Sequence, residues 1–460
     1  MTAHIFGGII FVGGEDMKKL LKAVDKNSQL ILDAEQYVWK HPETGYKEVE
    51  TSKYMEKIFR DLGYELVKPG DIPGFYTTLD TGRPGPTLLV LGEMDSVICP
   101  QHKDSDPKTG AVHACGHNVQ CAALIGVAAA LKEQGVLDKL CGKIKLCAVP
   151  AEELLEIEYR TQLKEKGIIK YLGGKTEFLY RGYFDDVDLA FMVHVSESFS
   201  VGKGAVGFLA KRIVFKGKAS HAGGSPWNGI NALYAANCGL NAINAIRETF
   251  EEKDIVRVHP IIENGGTMVN AIPETVTMES YVRGSSFDGI IKNNQKVNRA
   301  LCGAALSIGA NININDLPGY APLINDENLI ETAKEAAKLT CPEIEFSVSD
   351  DFWSASTDMG ELSCVMPVVH PFVAGIEGAL HSADFSVKDP QTACVTGTKF
   401  QLGMIYILLS DNAAKAKKVV SEAKPPFSNK KEYFDFIDSF ACAGDRIEYL
   451  DDFKVNVNIK

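Results

Sequence analysis

The chain has 460 residues, of which 45% are hydrophobic and 23% charged, and its formal net charge is −12 at pH 7. This length exceeds what one hydrophobic core usually supports, so two domains are expected, and the composition excludes a disordered or coiled-coil protein. The negative charge argues against a nucleic-acid surface, which needs clustered cations, and gives no attraction to anionic membranes.

Eleven cysteines are scattered along the chain rather than concentrated in a short segment. This usage is unlike the disulfide framework of a small secreted domain and favours a reducing, cytoplasmic setting. An apolar stretch at residues 5–12 is too short to span a bilayer, and it lacks the basic region and cleavage site of a signal peptide. We therefore expect a cytoplasmic protein that is not attached to a membrane.

Helix and strand patterns alternate over the first 207 residues. Apolar residues at three- and four-residue spacing predict helices between residues 17 and 63. Further along, the predicted strands are 74–79, 87–92, 143–149 and 188–194, and the predicted helices are 117–132 and 158–172. This alternation predicts an α/β domain with a mixed, mainly parallel sheet flanked by helices.

The pattern changes after residue 207. The next predicted elements are strand 210–218, helix 228–250, strands 256–263 and 276–283, helix 287–308 and strand 312–317. This β-α-β-β-α-β order is typical of a small ferredoxin-like domain. The α/β pattern then resumes with helix 329–339, strands 343–348 and 368–374, and helices 392–409 and 431–442. The sequence thus predicts a discontinuous domain, 17–207 and 321–460, that carries an inserted domain, 208–320.

The first chemically distinctive motif is His113-Ala-Cys115-Gly-His117, where a loop leads into a helix. A thiolate and an imidazole two residues apart can hold a transition metal from one loop, and the glycine permits a close approach of the backbone. Chance clusters of cysteine and histidine also occur. The motif alone therefore leaves a purely structural role open.

A second motif, Glu152-Glu153, directly follows the predicted strand 143–149. Adjacent carboxylates at a strand end point in different directions, so one can bind a metal while the other faces a substrate. The alternative interpretation is a solvated first turn of a helix, where acidic residues are favoured by the helix dipole.

Two histidines, His194 and His381, end or follow other apolar strands. A lone histidine in such a place is usually a satisfied core or rim residue. All of these features, however, lie at strand-to-loop transitions of one predicted domain, where open α/β sheets form their functional sites. Together they offer one thiolate, three imidazoles and two carboxylates, enough for two metal ions with a bridging water.

The motifs, taken in order, resemble a known family. The segments are Gly92-Glu-Met-Asp95, His113-Ala-Cys-Gly-His117, Ala151-Glu-Glu153, His194 and Leu380-His381-Ser, with Ala219-Ser-His221-Ala-Gly and Val269-Asn270-Ala-Ile-Pro273 as further matches. They look like the metallo-amidohydrolases that include hippurate hydrolase, bacterial aminoacylases, plant auxin-conjugate hydrolases and aminobenzoyl-glutamate hydrolase. The resemblance spans residues 17 to about 409.

This resemblance implies a metal-dependent hydrolase that cleaves the amide bond of N-acyl or N-aroyl amino acids or of small dipeptide-like conjugates. It implies two divalent cations, zinc or manganese first, with cobalt and nickel as alternatives. The implied ligands are Cys115, His117, Glu153, His194 and His381, with the thiolate as a bridge.

The resemblance also implies roles for other residues. Glu152 would be the general base, and Asp95 would orient a ligand, as metal-bound imidazoles commonly require. His221 would hydrogen-bond the developing oxyanion in the active site of a partner subunit, within a homodimer formed through the inserted domain. Asn270 and Arg283 would hold the carbonyl or carboxylate of the substrate, although Arg283 can equally be a surface charge at a strand end.

The sequence departs from the family pattern beside the paired glutamates. Relatives have glycines there, whereas this chain has Leu154-Leu-Glu-Ile-Glu-Tyr159 and then a charged segment, 160–182. Residues 99–110 are a second local specialisation, and Asn118 stands where many relatives have aspartate. The departures leave the acyl group and the amino acid of the substrate open.

Other function classes find less support in the sequence. Gly202-Lys-Gly-Ala-Val-Gly207 spells a dinucleotide fingerprint, but a predicted strand follows it where a helix is required. No G-x-S-x-G motif supports a serine hydrolase. A catalytically silent relative that binds peptides or conjugated amino acids is the serious alternative, and the intact Glu152 and complete ligand set argue against it.

Overall fold

The computed structural model describes residues 14–451 and 454–459, so the apolar stretch 5–12 lies outside the described residues. The chain forms two compact units. The first unit takes the chain up to Lys203 and adds Ile324–Asp350 and Met366–Pro425, whereas the second takes Gly204–Leu323, Asp351–Val365 and the chain from Pro426.

The helices are, in chain order, α1 (Gly14–Lys26), α2 (Ser28–Trp39), α3 (Val49–Asp61), α4 (His117–Leu131), α5 (Ile157–Glu165), α6 (Gly174–Tyr180), α7 (Ala232–Ile246), α8 (Phe287–Leu306), α9 (Glu327–Thr340), α10 (Met359–Ser363), α11 (Gly397–Leu409), α12 (Ala414–Glu422) and α13 (Lys430–Asp438).

The strands are β1 (Phe75–Asp80), β2 (Thr87–Glu93), β3 (Val97–Ile98), β4 (Ala111–Val112), β5 (Lys143–Val149), β6 (Leu189–Phe191), β7 (His194–Val195), β8 (Phe199–Val201), β9 (Gly204–Ala205), β10 (Gly207–Lys216), β11 (Arg257–Val258), β12 (Ile261–Asn264), β13 (Thr275–Gly284), β14 (Asn311–Pro318), β15 (Leu323–Ile324), β16 (Phe346–Val348), β17 (Phe352–Trp353), β18 (Val368–Val369), β19 (Phe372–Val373), β20 (Ile376–Glu377), β21 (Ser386–Val387), β22 (Cys442–Asp445), β23 (Ile447–Tyr449) and β24 (Val455–Val457).

The main sheet of the first unit has the strand order β1-β5-β2-β6-β18. Strand β1 is antiparallel to β5, and the other neighbours are parallel. Every residue of β2 is buried, as is every residue of α4, which packs against that strand. Continuous apolar runs are expected of strands and helices that are covered on all sides. This is the mixed, mainly parallel α/β architecture that the sequence predicted.

Two predicted strands are each divided in the structure. The predicted strand 188–194 becomes β6 and β7, and 368–374 becomes β18 and β19, and in each case the two halves join different sheets. Pro371 lies at one of these divisions and has no N–H to offer a sheet. The predicted helix 158–172 is also shorter, because α5 ends at Glu165 and Gly167 adopts a φ of 70°.

The second unit is built on an antiparallel sheet of order β11-β13-β10-β14-β22, with β12 also paired to β13. Helices α7 and α8 lie against it and bury a separate apolar core. The succession β10-α7-β12-β13-α8-β14 reproduces the predicted strand and helix order, with the short β11 added.

The C-terminal tail belongs to the second unit, which differs from the predicted assignment of all of 321–460 to the first. Strand β22 pairs with β14, and the rings of Phe436 and Phe440 pack around Phe287 of α8. Residues 351–365 follow the same unit, because β17 pairs with β9. No local pattern in the sequence indicates these long-range strand pairings.

The segment Gln391–Leu409 is long and apolar enough to cross a membrane, yet 72% of it is buried within the structure. It contains a π-helical turn followed by α11, which packs against α9, α1 and α4. The segment is therefore the core helix of the first unit.

Candidate metal centre

The thiolate loop connects β4 to the N-terminus of α4. Gly116 has a φ of 83°, and a Cβ there would lie 2.2 Å from a methyl carbon of Val195, so only glycine fits. The tight turn lets Cys115 and His117 face the same space, with exposed fractions of 5% and 0%. The sequence motif thus places two potential ligands on one short piece of backbone.

Cys115, His117 and His194 form a first set of ligands whose donor atoms lie within 4.8 Å of one another. The Nδ1 atom of His194 lies 3.0 Å from the carbonyl oxygen of Val195 and donates to it, so Nε2 is turned towards Cys115. Nε2 lies 3.5 Å from Sγ. A sulfur and a nitrogen bound to one tetrahedral zinc ion are separated by about the same distance, roughly 3.5 Å, given the usual bond lengths.

Cys115, Glu153 and His381 form a second set within the same distance limit. The Nε2 atom of His381 lies 2.9 Å from a carboxylate oxygen of Glu153. The His381 side chain is 51% exposed, which makes this the solvent-facing side of the cluster. Because Cys115 belongs to both sets, its sulfur would be a ligand available to each of two cations held there.

Asp95 orients both sets. The Nδ1 atom of His117 lies 2.9 Å from the backbone oxygen of Asp95 and 3.1 Å from its Oδ1, while Oδ2 accepts a hydrogen bond of 2.7 Å from the backbone N–H of Glu153. The proton of His117 is thereby held on Nδ1. Its Nε2 is turned away from Asp95 towards the space shared with Cys115 and His194, as expected of a nitrogen that binds a cation.

The charges around the sulfur favour a thiolate. Burial and the carboxylate of Glu153 raise the pKa of Cys115, but the imidazoles of His117 and His194 outweigh them and lower it to about 6. Burial also raises the pKa of Glu153, and the neighbouring His381 lowers it to about 2. Two deprotonated ligands at neutral pH suit a pair of divalent cations.

The donor set, one sulfur, three imidazole nitrogens and carboxylate oxygens, fits borderline cations such as zinc. The profile of peptidase family M20/M25/M40 matches residues 89–406. The chain belongs to this family. The assignment confirms the resemblance drawn from the motifs and, with it, the class of hydrolases of peptide and amide bonds.

Two relatives and one solved structure illustrate the likeness. The Xaa-Arg dipeptidase of Mus musculus is 31% identical over 293 residues, 62% of this chain and 62% of that protein. The indole-3-acetyl-aspartic acid hydrolase of Enterobacter agglomerans is 30% identical over 261 residues, 53% of this chain and 55% of that one. The matched part thus spans less than two thirds of these relatives. A dinuclear metal binding peptidase of family M20 from Bacillus subtilis shares the fold, with a TM-score of 0.61, 19% identity, and coverage of 83% of this chain and 98% of that chain.

In this M20 family member, a carboxylate that sequence reasoning missed adjoins the centre. Glu93, the last residue of β2, is fully buried and its Oε2 lies 3.1 Å from Nε2 of His117. With His117 and Glu152 it forms a third set of closely spaced potential ligands. Its position at the end of a central parallel strand, two residues before Asp95, is the signal by which the sequence could have identified it.

Glu93 is held by two buried partners. Its Oε1 accepts a hydrogen bond from the ammonium of Lys175, which is also fully buried, and its Oε2 accepts one of 2.6 Å from the amide of Gln120. Burial raises the pKa of Glu93, but Lys175 first, and then His117 and His194, outweigh it and lower the pKa to about 2. The ion pair of Glu93 and Lys175 thus lies directly beside the candidate ligand His117.

His113, the first residue of the thiolate motif, belongs to none of the three sets. It is fully buried, and burial lowers its pKa to about 3, so it is neutral at physiological pH. Glu152, by contrast, lies at the centre, with its Oε2 3.9 Å from Nε2 of His117.

The remaining predicted site residues, His221, Asn270 and Arg283, belong to the second unit. The loops of the first two meet there, since the N–H of Ala222 donates to the carbonyl oxygen of Asn270 over 2.9 Å. The Nδ1 atom of the exposed His221 accepts hydrogen bonds from two backbone N–H groups, at 3.2 and 2.9 Å. Its proton is therefore on Nε2, which suits a hydrogen-bond donor.

Arg283 is half-buried rather than freely exposed. Its guanidinium donates to the ring of His259 over 2.9 Å and to the hydroxyl of Ser356 over 2.6 Å, and it lies over the rings of Phe208 and Tyr281. These contacts give the guanidinium a fixed place in the second unit.

Proposed function

We propose that this protein hydrolyses the amide bond of N-acyl or N-aroyl amino acids, or of small dipeptide-like conjugates, with the help of two divalent cations. The observation that carries the proposal is the Cys115 thiolate shared between two three-ligand sets, with the carboxylate of Glu152 beside them. When bound, two such cations supply the Lewis acidity that makes water nucleophilic near neutral pH. Zinc and manganese are the first candidates, with cobalt and nickel as alternatives, and of these the thiolate and the imidazoles favour zinc.

In the proposed reaction the protein moves the protons. Glu152 takes a proton from the attacking water and delivers it to the leaving nitrogen. Asp95 keeps His117 in the tautomer that leaves Nε2 open. His221 donates a hydrogen bond from its Nε2–H to the developing oxyanion in the site of a partner subunit, and a donor of this kind is worth about 3 kcal/mol of barrier lowering.

We assign substrate binding in the second unit to Asn270 and Arg283. The guanidinium of Arg283 already has a fixed orientation, which suits recognition of a carboxylate on the amino-acid side. The apolar side chains near the centre in the first unit suit an apolar acyl group on the substrate. Trp39, Leu155 and Leu380 are half-buried and pack on the apolar cluster that contains Cys115.

The proposal is tested by loading the protein with zinc, manganese, cobalt or nickel and offering a panel of amides. The panel includes N-acetyl and N-benzoyl amino acids, indole-3-acetyl-aspartate and Xaa-Arg dipeptides, in line with the names of the two relatives. We expect two ions per chain and an activity that a chelator abolishes and metal restores. Amides with apolar acyl groups should be turned over about tenfold faster than those with charged acyl groups, because burying some 50 Å² of apolar surface is worth about that factor.

A catalytically silent relative would bind these compounds without turnover. Fewer than two ions per chain, or bound metal with no hydrolysis of any panel member, would therefore contradict the proposal. We also propose a cytoplasmic location, which is supported by eleven free thiols, all of them in the described residues.

We further propose a homodimer formed through the second unit, whose fold order matches a ferredoxin-like lid and dimerisation domain. Strand β12 lies at the sheet edge with every residue exposed, and the nearby Met268 and Val269 are 61% and 100% exposed. Exposed edges and apolar residues of this kind mark association surfaces.

Replacing both Ile261 and Val269 with lysine should change the mass in sedimentation equilibrium from that of two chains to that of one, since it places charges at this edge. Val457, 40% exposed on the distant strand β24, provides the control, and V457K should leave the dimer intact. A monomeric wild-type protein, or a double variant that stays dimeric, would refute this interface.

A further inference from the structure

The turn that carries Glu152 has an unusual backbone. Ala151, directly before the paired glutamates, has a φ of 59°, the left-handed region that costs a residue with a Cβ about 1–2 kcal/mol. Such a conformation persists only where the surroundings hold it in place. The direction of the Glu152 side chain depends on this residue, because the two are neighbours in the chain.

The segment 154–172 starts and ends at this turn. The N–H of Gly174 donates to the carbonyl oxygen of Ala151 over 3.1 Å, just after the segment returns. A Cβ on Gly174 would lie 1.6 Å from the carbonyl oxygen of Pro150, so the returning chain touches the backbone directly. The segment is thus a loop whose two ends meet at the candidate base.

One side chain of this segment, that of Arg160, contacts the backbone of the two residues that flank Glu152. Arg160 of α5 is 1% exposed, and its guanidinium donates to the carbonyl oxygens of Ala151, at 3.3 Å, and of Leu172, at 2.7 Å. It also donates to the carbonyl oxygen of Glu153. The planar, five-donor guanidinium can satisfy three fixed carbonyls at once, which a lysine ammonium on a flexible chain cannot do in the same geometry.

The N–H of Ala151 is held by a second buried side chain, that of Glu48. The carboxyl group of Glu48, which is 0% exposed, accepts a hydrogen bond of 2.7 Å from the N–H of Ala151, and its burial and the neighbouring Asp95 raise its pKa well above the usual range. The guanidinium of Arg160 occupies a shaped site, since a Cβ on Gly45 would lie 2.3 Å from its Nη2 atom. Both the N–H and the carbonyl of the strained residue are therefore fixed by buried side chains, the N–H by Glu48 and the carbonyl by Arg160.

We propose that Arg160 is a positioning residue for the reaction: with Glu48 it holds Ala151 in the left-handed conformation and so aims the Glu152 carboxylate at the metal ligands. The inference rests on the proposed role of Glu152 as the base. The segment 154–172 thereby supplies the side chain that fixes the backbone of the catalytic turn.

The test compares R160K, A151G and the double variant A151G/R160K in the metal-loaded protein. R160K should lower kcat by about 10²-fold with little change in KM, because a displacement of the order of 1 Å at a catalytic group has that effect. A151G alone should be close to wild type, because glycine adopts a positive φ without strain. In the double variant A151G should restore at least tenfold of the lost kcat, since the native turn no longer needs the clamp.

Two further measurements need neither substrate nor metal. Hydrogen exchange of the amides of residues 151–155 should accelerate at least tenfold in R160K, and the melting temperature of A151G should stay near that of wild type. R181K is the matched control: Arg181 also donates to the backbone of the segment, at Ile168, and does not contact the turn. It should leave both kcat and the exchange of 151–155 unchanged.

The inference is overturned if R160K keeps kcat within threefold of wild type, if its loss lies in KM, or if A151G and R160K combine additively. If R160K does not fold alone, the comparison is made in the A151G background, where R160K should lower kcat by tenfold or less, and a larger loss overturns the inference. If the wild-type protein hydrolyses no amide at all, the proposed function fails, while the exchange measurement still decides whether the clamp exists.

Discussion

Glu152→Gln is expected to lower kcat about 10³-fold, the usual contribution of a positioned general base, and to leave two ions bound per chain. Glutamine has nearly the same shape but cannot accept the proton of the attacking water. The five ligand side chains are unchanged by this substitution, because Glu152 is in neither of the two sets that share Cys115. The measurement is steady-state kinetics on a panel amide, together with metal analysis of the same preparation.

A matched control for this variant is available six residues further on. Glu158 lies on α5 with its side chain exposed, so E158Q removes the same charge from the same segment without touching the centre. It should retain wild-type kcat. An E152Q protein with more than a tenth of wild-type activity would exclude Glu152 as the base, and one that loses metal would make it a ligand instead.

Much of this centre was predictable because its residues obey a topological rule. Asp95, Glu152 and Glu153 follow β2 and β5, which are neighbouring parallel strands, and the carboxyl ends of parallel strands meet at one edge of a sheet. His194 begins β7 directly after the adjacent strand β6. Position along the chain alone therefore predicted that these side chains converge.

The contacts that support the ligands could not be predicted in the same way. Lys175 and Glu93 are 82 residues apart, and nothing local distinguishes a buried lysine from the exposed ones around it. Arg160 lies in a segment rich in charged residues, which predicts that its side chain is exposed. Arg160 lies within the segment 154–172 and Lys175 shortly after it, and for this part of the chain periodicity indicates helices but not the partners of single side chains.

The division of the chain into units was predictable only in part. The change of pattern after residue 207 identified the start of the second unit, which the structure places at Gly204. The return of the tail to that unit depends on β22, a strand of four residues. Its pairing with β14 spans about 130 residues and is decided by packing, with no periodicity of its own to indicate it.

Lys175→Met should destabilise the metal-free protein by about 3–5 kcal/mol, because it leaves the buried carboxylate of Glu93 without its counter-charge. Both side chains are fully buried, so solvent cannot replace the lost ammonium. The measurement is urea denaturation of protein stripped of metal. The loss should be smaller in metal-loaded protein, since cations beside His117 compensate the same carboxylate and since ligands that bind only the folded state stabilise it.

Two variants separate this effect from a general loss of packing. Lys145 of β5 has a side chain only 2% exposed, but its partner Asp186 is 57% exposed, so K145M leaves a solvated carboxylate and should cost less, about 1–2 kcal/mol. In the double variant E93Q/K175M the buried charge is removed from both partners, and most of the stability should return. Two results would show that Glu93 is not held as an ion in the folded protein. One is a K175M protein that loses less than 1 kcal/mol of stability without metal, and the other is a double variant no more stable than K175M. The charge next to the ligands would then have to be balanced by other groups.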